Sequence, residues 1–223
     1  MKPKFICIVL SGNSGAGKST LLRAVSEALR KATGFAVEAV SERELHHPLL
    51  INMFRDPETW ALSIQLNFVL QRATRLMQAA RRVPGRIVVM ERCLDEDRLF
   101  FDYYVARKCI CPASEQFYES MRLHFVQAVP RPGLVVHLRA CSAFLIQRLE
   151  RALKGGTRPV ELDGERLREY IEAMNERYRG WSHIAALKCG TYWESQVDSE
   201  EFDPVGLVQR VEAFVSRSLS DET

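Results

Sequence analysis

One segment near the N-terminus restricts the fold of this chain more than any other feature. Residues 12–19 read Gly-Asn-Ser-Gly-Ala-Gly-Lys-Ser, which is the pattern G-x-x-x-x-G-K-[ST]. A continuous apolar run at 5–10 precedes this segment, and apolar residues at helical spacing follow it from Lys18 to about Lys31. Such a loop between a strand and a helix presents backbone N–H groups and a helix N-terminus to an anion. The pattern therefore predicts a phosphate-binding loop in an α/β domain.

The residue types in this loop have separate predicted tasks. The glycines allow backbone N–H groups to converge on phosphate oxygens, Lys18 can reach the outer phosphates, and the Ser19 hydroxyl can ligate Mg²⁺. A glycine-rich turn without a phosphate is the alternative, and the strand and helix on either side disfavour it. The predicted ATP-binding residues of the loop are Gly12, Asn13, Ser14, Gly15, Ala16, Gly17, Lys18, Ser19 and Thr20.

Apolar runs and helical periodicity predict the rest of the architecture. Buried strands are expected at 5–10, 35–40, 87–90 and 134–138, with a weaker one at 191–193. Because helical patterns fill the gaps, we expect a three-layer α/β fold with a five-stranded parallel sheet flanked by helices. Residues 1–223 then form a single domain with a short lid at about 154–164. The expected helices lie at about 18–31, 58–82, 95–108, 114–128, 142–153, 164–179 and 204–218.

Charge, hydropathy and cysteine usage exclude several classes of partner. The formal net charge of +3 is too small for the basic field that non-specific nucleic-acid binding needs, so we expect no nucleic acid. The apolar run at 5–10 is far shorter than a membrane span and fits neither a signal nor a transit peptide, so we expect no membrane. The six cysteines lack metal or disulfide spacing, which indicates a reducing compartment and a cytoplasmic protein.

The residues that follow the third strand narrow the type of phosphate-loop protein. No Asn-Lys-x-Asp segment that reads guanine is present, and the strand ends in Glu91-Arg92 instead of the Asp-Glu pair of hydrolytic ATPases. Both side chains emerge at the carboxyl edge of the sheet, where α/β proteins bind ligands. Glu91 can hold Mg²⁺ or accept a hydroxyl proton, and Arg92 can neutralise a phosphate in transfer. The alternative is that the two residues only pair with each other at a strand end.

Further segments give the chain a family resemblance over nearly its whole length. They are Ser41-Glu42 after the second strand, the run His-Pro-Leu-Leu at 47–50, and Phe-Arg-Asp-Pro-Glu-Thr-Trp at 54–60, which leads to Gln65. With the phosphate loop and Glu91-Arg92, they resemble the deoxynucleoside kinase family, the group of deoxycytidine, deoxyguanosine and mitochondrial thymidine kinases.

The resemblance implies a P-loop kinase fold and transfer of phosphate from ATP, with Mg²⁺, to a deoxynucleoside 5′-hydroxyl. It also implies a homodimer whose interface is formed by helices. We expect the long helix from Glu58 to be part of this interface. In the family, the position of Glu42 lies beside the 5′-hydroxyl, while Glu91 and Arg92 match the Glu-Arg pair. Glu42, Glu91 and Arg92 are therefore the candidate catalytic residues, and Ser19 and Glu91 the candidate metal ligands. Sequence leaves open which of the two glutamates is the base, because that depends on the distance between each carboxylate and the attacking hydroxyl oxygen.

The long helix supplies a candidate base pocket. Gln65, Phe68 and Arg72 are spaced three and four residues apart, so they share one stripe, separate from the apolar stripe that begins at Leu62. A solvated polar helix face is the alternative to a binding role. By resemblance, Gln65 pairs with the base edge, and Phe68 or Phe101 stacks on the base.

Arg72 and Asp97 also match family positions that shape the base pocket. An Arg and Asp pair resembles the deoxycytidine and deoxyguanosine branch, whereas the thymidine-accepting branch has smaller or apolar residues there. An ionised carboxylate can accept a hydrogen bond from an exocyclic amino group, which thymine lacks at that edge. We therefore expect deoxycytidine and purine deoxynucleosides to be preferred over thymidine.

The sequence departs from the family pattern at three places near these sites. Arg43 replaces a proline, Cys93 replaces a serine, and Phe54 replaces a tyrosine near the sugar 3′-hydroxyl. Phe54 remains a predicted substrate contact, although it cannot make the hydrogen bond of a phenol to the sugar. The lid is also irregular, and its predicted contacts are Arg148, Arg151 and Arg158 on the donor phosphates and Glu161 on the sugar.

Two alternatives to a deoxynucleoside kinase stay open at this point. A nucleoside monophosphate kinase of the thymidylate type has a similar loop and lid, but it needs extra cationic contacts for the phosphate of its acceptor. A nucleotide-binding subunit without catalysis is suggested by Phe54 and by the irregular lid.

Overall fold

The computed structural model describes residues 5–45, 48–81, 86–155 and 164–220. Most of the predicted lid, with Arg158 and Glu161, lies outside these ranges, as does His47 of the 47–50 run. Within the described ranges, no helix combines the length and the apolar composition that crossing a bilayer demands.

The centre of the molecule is a five-stranded sheet in which every pair of neighbouring strands is parallel. Helices cover both faces, so β1 is almost completely buried, as its unbroken apolar run predicted. The predicted three-layer α/β fold is confirmed. The order in the sheet is β2-β3-β1-β4-β5, with β1 at Phe5–Gly12, β2 at Ala36–Val40, β3 at Arg86–Glu91, β4 at Leu134–Arg139 and β5 at Thr191–Gln196.

Eight helices and one short 3-10 helix, Glu42–Leu45, complete the described part of the chain. The seventh helix is longer than expected, because the buried Trp181 and Ala185 continue its apolar stripe beyond the exposed Gly180. The fifth strand and the last helix also extend a few residues further than expected. The helices are α1 at Lys18–Thr33, α2 at Leu50–Arg55, α3 at Pro57–Arg81, α4 at Asp97–Ala106, α5 at Pro112–Ala128, α6 at Ser142–Lys154, α7 at Gly164–Lys188 and α8 at Pro204–Ser220.

Both predicted stripes of α3 reach the interior. Gln65, Phe68 and Arg72 are buried. The apolar stripe is only partly buried at Leu62 and Leu66, and its later members Val69, Ala73 and Leu76 are buried. The polar stripe therefore faces the interior, where a partner for Arg72 is available, and it is not a solvated surface.

Register places the ends of three strands close together. Leu10 of β1 lies beside Glu91 of β3, and Val40 of β2 lies beside Met90. Because all strands are parallel, the phosphate loop after β1, residues 41–42 after β2, and Arg92 after β3 meet at the carboxyl edge of the sheet.

Candidate active site

The phosphate loop is held in shape by backbone conformations that require glycine. Gly12, Gly15 and Gly17 have φ angles of 135°, 86° and 101°. A Cβ built on Gly12 would lie 2.5 Å from the carbonyl oxygen of Leu138, so β4 leaves no space for a side chain there. Gly17 then opens α1, and the first N–H groups of that helix face the loop.

Lys18 lies under the loop and is buried. Its Nζ donates hydrogen bonds to the carbonyl oxygens of Gly12, at 2.8 Å, and Asn13, at 3.0 Å. Burial and the nearby Arg92 lower the pKa of Lys18 to about 8, against the opposing effect of the neighbouring glutamates. The ammonium group can exchange these carbonyl oxygens for phosphate oxygens without leaving its position in the loop.

The loop residues have two different roles. Ser14, Gly15, Gly17, Ser19 and Thr20 line a cavity, whereas Gly12, Asn13 and Ala16 do not. The Asn13 side chain turns away and donates from Nδ2 to the backbone oxygen of Ile171 in α7, at 3.0 Å. Asn13 therefore anchors the loop to α7.

The cavity beside the loop measures about 810 Å³ and reaches from α1 to the middle of α3. This volume falls within the usual range for small-molecule sites, about 300–1,000 Å³. Predicted residues from seven elements, or directly after them, line the cavity: Lys18, Ser19, Glu42, Phe54, Gln65, Phe68, Glu91, Arg92, Asp97 and Arg148.

A cluster of charges lies across the cavity from the loop. Arg92 donates from Nη1 to the Glu42 carboxylate, and its guanidinium group lies 4.2 Å above the ring of Phe100. Burial alone would lower the pKa of Arg92, but the carboxylates of Glu42 and Glu96 raise it, so the side chain remains charged. The backbone of Arg92 has a φ angle of 62°, a strained conformation that is typical of functional positions.

Glu91 has one carboxylate oxygen in use and one available. Its Oε2 accepts a hydrogen bond from the backbone N–H of Glu42 at 2.9 Å, which connects the ends of β2 and β3. Its Oε1 is buried without a hydrogen-bond partner among the described residues. An orphaned carboxylate oxygen in the same cavity as the Ser19 hydroxyl fits Mg²⁺ with a nucleotide, which needs only one or two protein ligands besides phosphates. In the described ranges, no cluster of three or more His, Cys, Asp or Glu is placed to hold a metal ion.

The far end of the cavity is organised by Arg72 and Asp97. Arg72 is fully buried and binds both carboxylate oxygens of Asp97, at 2.9 and 3.0 Å, while its Nη1 donates to the backbone oxygen of Glu91 at 2.6 Å. Burial raises the pKa of Asp97, and the ion pair with Arg72 opposes this rise. Gln65 is also buried, and its Nε2 contacts Met53 Sδ at 3.5 Å.

Outside the loop, three predicted contacts that the structure describes do not line the cavity: Phe101, Arg151 and Arg72, which acts on the cavity through its pair with Asp97. Phe101 is fully buried, and its ring stacks on that of Tyr118 with 3.7 Å between centroids. Asp97 and Phe100, three residues apart at the start of α4, face the cavity instead. Arg151 is exposed and does not line the cavity, whereas the Nη1 atom of Arg148 would lie 3.5 Å from a Cβ on Gly17.

Several residues at the site were missed by sequence reasoning. Tyr170 of α7 lines the cavity and meets Phe54 edge to face, with 6.0 Å between ring centroids. Beneath the cavity, Glu96 and Tyr178 share a hydrogen bond across 82 positions of sequence. A long sequence separation leaves no local pattern, and Glu96 in the run Asp-Glu-Asp reads as a solvated charge.

Comparison with known proteins gives one family. The model of the deoxynucleoside kinase family matches residues 8–216. A curated Frog virus 3 (isolate Goorha) protein named "Putative deoxynucleoside kinase" is 40% identical over 86 residues. That match covers 38% of this chain and 40% of the viral protein, so the chain matches less than half of its curated relative.

Solved structures of deoxyadenosine kinase from M. mycoides have a similar fold. The structure with bound dCTP has a TM-score of 0.71 and 17% identity, and the match covers 94% of this chain and 100% of that one. The structure with the products dCMP and a flexible dCDP has a TM-score of 0.69 and 20% identity, over 95% of this chain and 100% of the other. At this level of identity, the likeness establishes the architecture of the sheet and helices.

Proposed function

Because the chain belongs to the deoxynucleoside kinase family, we propose that it transfers the γ-phosphoryl group of ATP to the 5′-hydroxyl of a deoxynucleoside. The observation that carries this proposal is a single cavity that holds Lys18 of the phosphate loop together with Glu42, Glu91 and Arg92. Phosphoryl transfer depends mainly on positioning the two substrates and on neutralising charge, and this cavity supplies groups for both tasks. The reaction would salvage free deoxynucleosides as monophosphates.

The donor side of the cavity binds phosphates. Loop N–H groups, Lys18 and Arg148 surround the place where the β- and γ-phosphates would lie. Mg²⁺ bound with the nucleotide would neutralise charge on the donor phosphates, and the Ser19 hydroxyl and Glu91 Oε1 would hold it. Arg92 can donate to the phosphoryl group during transfer, because its Nη2 has no hydrogen-bond partner among the described residues.

On the acceptor side, we assign the role of base to Glu42. Glu91 is occupied by the backbone N–H of Glu42 and faces the predicted metal position, while the Glu42 carboxylate lies beside Arg92 and remains partly accessible. A 5′-hydroxyl between Glu42 and Arg92 could pass its proton to the carboxylate while Arg92 contacts the phosphoryl group.

The base pocket favours deoxycytidine and purine deoxynucleosides. The bidentate pair with Arg72 opposes protonation of Asp97, and the carboxylate keeps lone pairs that can accept from an exocyclic amino group. Gln65 offers an amide to the base edge, and Phe68 offers a ring that lines the same cavity. The M. mycoides enzyme, whose fold is similar, has been solved with dCTP and with dATP.

A panel of acceptors tests this function. The wild-type protein is incubated with γ-labelled ATP, Mg²⁺ and deoxycytidine, deoxyadenosine, deoxyguanosine or thymidine, in parallel with their 5′-monophosphates. We expect labelled monophosphates from the first three nucleosides. Labelled diphosphates alone would replace this function with that of a nucleoside monophosphate kinase, and ATP binding without product would replace it with that of a non-catalytic subunit.

We propose that the protein is a homodimer through the outer face of α3 and α5. These two helices pack together and expose three large apolar side chains: Leu70 of α3 is 47% exposed, and Phe117 and Leu123 of α5 are 60% and 41% exposed. Light scattering tests this, since Leu70→Glu with Phe117→Glu should give a monomer. Leu187→Glu is the control, because Leu187 is 74% exposed on α7, and it should leave the mass unchanged.

We further propose a single domain in the cytoplasm. Helix α1 packs against helix α8, so the first and the last described helices belong to one folded unit. All six cysteines are free thiols, which supports a reducing compartment. A thiol titration of the protein purified without reductant checks that the cysteines are free thiols. Six reactive groups are expected after unfolding.

A further inference from the structure

A fully buried carboxylate lies beneath the cavity. Glu96 precedes α4, and its Oε1 accepts hydrogen bonds from the backbone N–H of Gly12, at 3.2 Å, and from the Tyr178 hydroxyl. The same oxygen lies 3.7 Å from Arg92 Nε. Glu96 is not among the residues that line the cavity, so it does not reach a substrate itself.

The partners of Glu96 belong to the two halves of the proposed reaction. Gly12 begins the phosphate loop that binds the donor, and Arg92 contacts the phosphoryl group in transfer. Glu42 holds Arg92 through Nη1, whereas Glu96 approaches the same guanidinium group at Nε. When a 5′-hydroxyl is hydrogen-bonded to Glu42, Arg92 keeps its contact with Glu96, and this contact fixes the position of the guanidinium group.

Tyr178 strengthens this connection from α7. Its hydroxyl lies 3.1 Å from the backbone oxygen of Gly12 as well as beside Glu96. Its ring meets Phe100, which in turn lies under Arg92. One residue of α7 therefore contacts both the start of the loop and the carboxylate that approaches Arg92.

Burying a carboxylate is costly, and the cost demands compensating contacts. Burial raises the pKa of Glu96, while Arg92, the Tyr178 hydroxyl, Lys18 and the Gly12 N–H oppose this effect. Its second oxygen, Oε2, is buried without a hydrogen-bond partner among the described residues. A glutamine or a hydrophobic side chain would be cheaper to bury, which points to a role for the negative charge.

Building on the proposed function, we infer that Glu96 is a positioning residue. Together with Tyr178, it holds the first glycine of the phosphate loop and the Arg92 guanidinium in one fixed arrangement. The donor phosphates and the transferring arginine are thereby aligned before the substrates bind.

Replacing Glu96 with Gln tests the role of the charge. The amide oxygen can still accept from Gly12 and Tyr178, but the attraction to Arg92 is removed. We expect kcat to fall at least about 10-fold with both KM values within about 3-fold, as for an interaction made in the transition state. Because Arg92 keeps its ion pair with Glu42, no unpaired charge is left buried, and the melting temperature should not fall.

Asp95→Asn is the matched control. It removes the same charge one position earlier, where the carboxylate pairs with Arg122 and Lys188 away from the cavity. We expect the kcat of Asp95→Asn to stay within about 2-fold of the wild-type kcat. An equal loss of kcat in both variants would overturn the inference, because it would reflect net charge alone.

A double-mutant cycle shows whether Glu96 acts through Arg92. If it does, Glu96→Gln should change kcat by less than about 3-fold in an Arg92→Lys background, since the contact is already disturbed. Additive effects would overturn the inference, as would an unchanged kcat in Glu96→Gln alone.

A readout without turnover separates this inference from the proposed function. Hydrogen exchange of the peptide that contains Gly12, measured by mass spectrometry, should be faster in Tyr178→Phe and Glu96→Ala than in the wild type, because each variant removes a side-chain contact with the Gly12 backbone. Faster exchange would support the loop contact even if no nucleoside were phosphorylated, in which case only the proposed function fails. Unchanged exchange in both variants would overturn the loop part of the inference.

Discussion

The phosphate loop and the nucleoside pocket share one cavity, but the chain builds them in opposite ways. The loop is one continuous segment, and its shape follows from three glycines with positive φ angles. The pocket is assembled from side chains of α2, α3, α4 and α7 and from residues after β2 and β3. A contiguous loop fixes the donor through its backbone, whereas the scattered pocket selects the acceptor through side chains that can be exchanged one by one.

Removing the loop lysine should have the largest effect. We expect Lys18→Met to lower kcat/KM at least about 10²-fold, because it removes a preorganised charge at the transferring phosphate. Deoxynucleoside affinity, measured by calorimetry, should stay near the wild-type value. Lys31→Met on the exposed side of α1 is the control and should retain full activity. A parallel loss of nucleoside binding would show that the two regions are not separate.

The two glutamates should respond differently. Glu42→Gln removes the proposed base, and general-base catalysis contributes about 10²–10⁴-fold, so kcat should fall by about 10²-fold at every Mg²⁺ concentration. Glu91→Gln should instead raise the Mg²⁺ concentration that gives half-maximal rate, because Oε1 is the proposed ligand. A magnesium titration of both variants checks this, and exchanged behaviour would reverse the two assignments.

Sequence predicted the donor half more completely than the acceptor half. The motif and its flanking strand and helix define the loop, and parallel strands bring the residues near Glu42 and Glu91 to the same edge. Sequence predicted Phe101 as a contact, but Phe100 lines the cavity, because the packing of Phe101 on Tyr118 of α5 decides which face of α4 is turned to the cavity. Glu96 and Tyr178 were not found, since their contact depends on how α7 packs against the loop.

The acceptor region should be convertible by changing one buried pair. Arg72→Met with Asp97→Ala removes both charges and opens space for a thymine methyl group. The ratio of kcat/KM for thymidine to that for deoxycytidine should rise by about 10–10²-fold, since a changed pocket group of this size discriminates between substrates by about 1–3 kcal/mol. Asp97→Ala alone should destabilise the protein by about 3–5 kcal/mol in urea unfolding, because the Arg72 charge stays buried. An unchanged ratio in the double variant would place base selection elsewhere.

The donor half should also be sensitive to pH. Burial and Arg92 lower the pKa of Lys18 to about 8, and the protonated form binds phosphate. ATP affinity should therefore be full below this pKa and should weaken as pH rises through it, by up to about 10-fold over one to two pH units. Calorimetry between pH 6.5 and 9 measures this, with Lys18→Arg as the control, because an arginine stays charged throughout. If the ATP affinity of the wild-type protein did not change between pH 6.5 and 9, the prediction that Lys18 titrates in this range would be wrong.

The smallest effect is expected from restoring a single phenol in the acceptor half. Phe54 lines the cavity and packs edge to face on Tyr170, so Phe54→Tyr adds a hydroxyl without removing this contact. One neutral hydrogen bond to the sugar is worth about 0.5–1.5 kcal/mol, so the KM for deoxycytidine should fall by about 2–10-fold. The KM for ATP should not change, because the donor is bound by the loop. A 3′-deoxy acceptor provides the control, since it lacks the sugar hydroxyl and should show no gain; an equal gain would mean that the phenol acts through packing and not through the sugar.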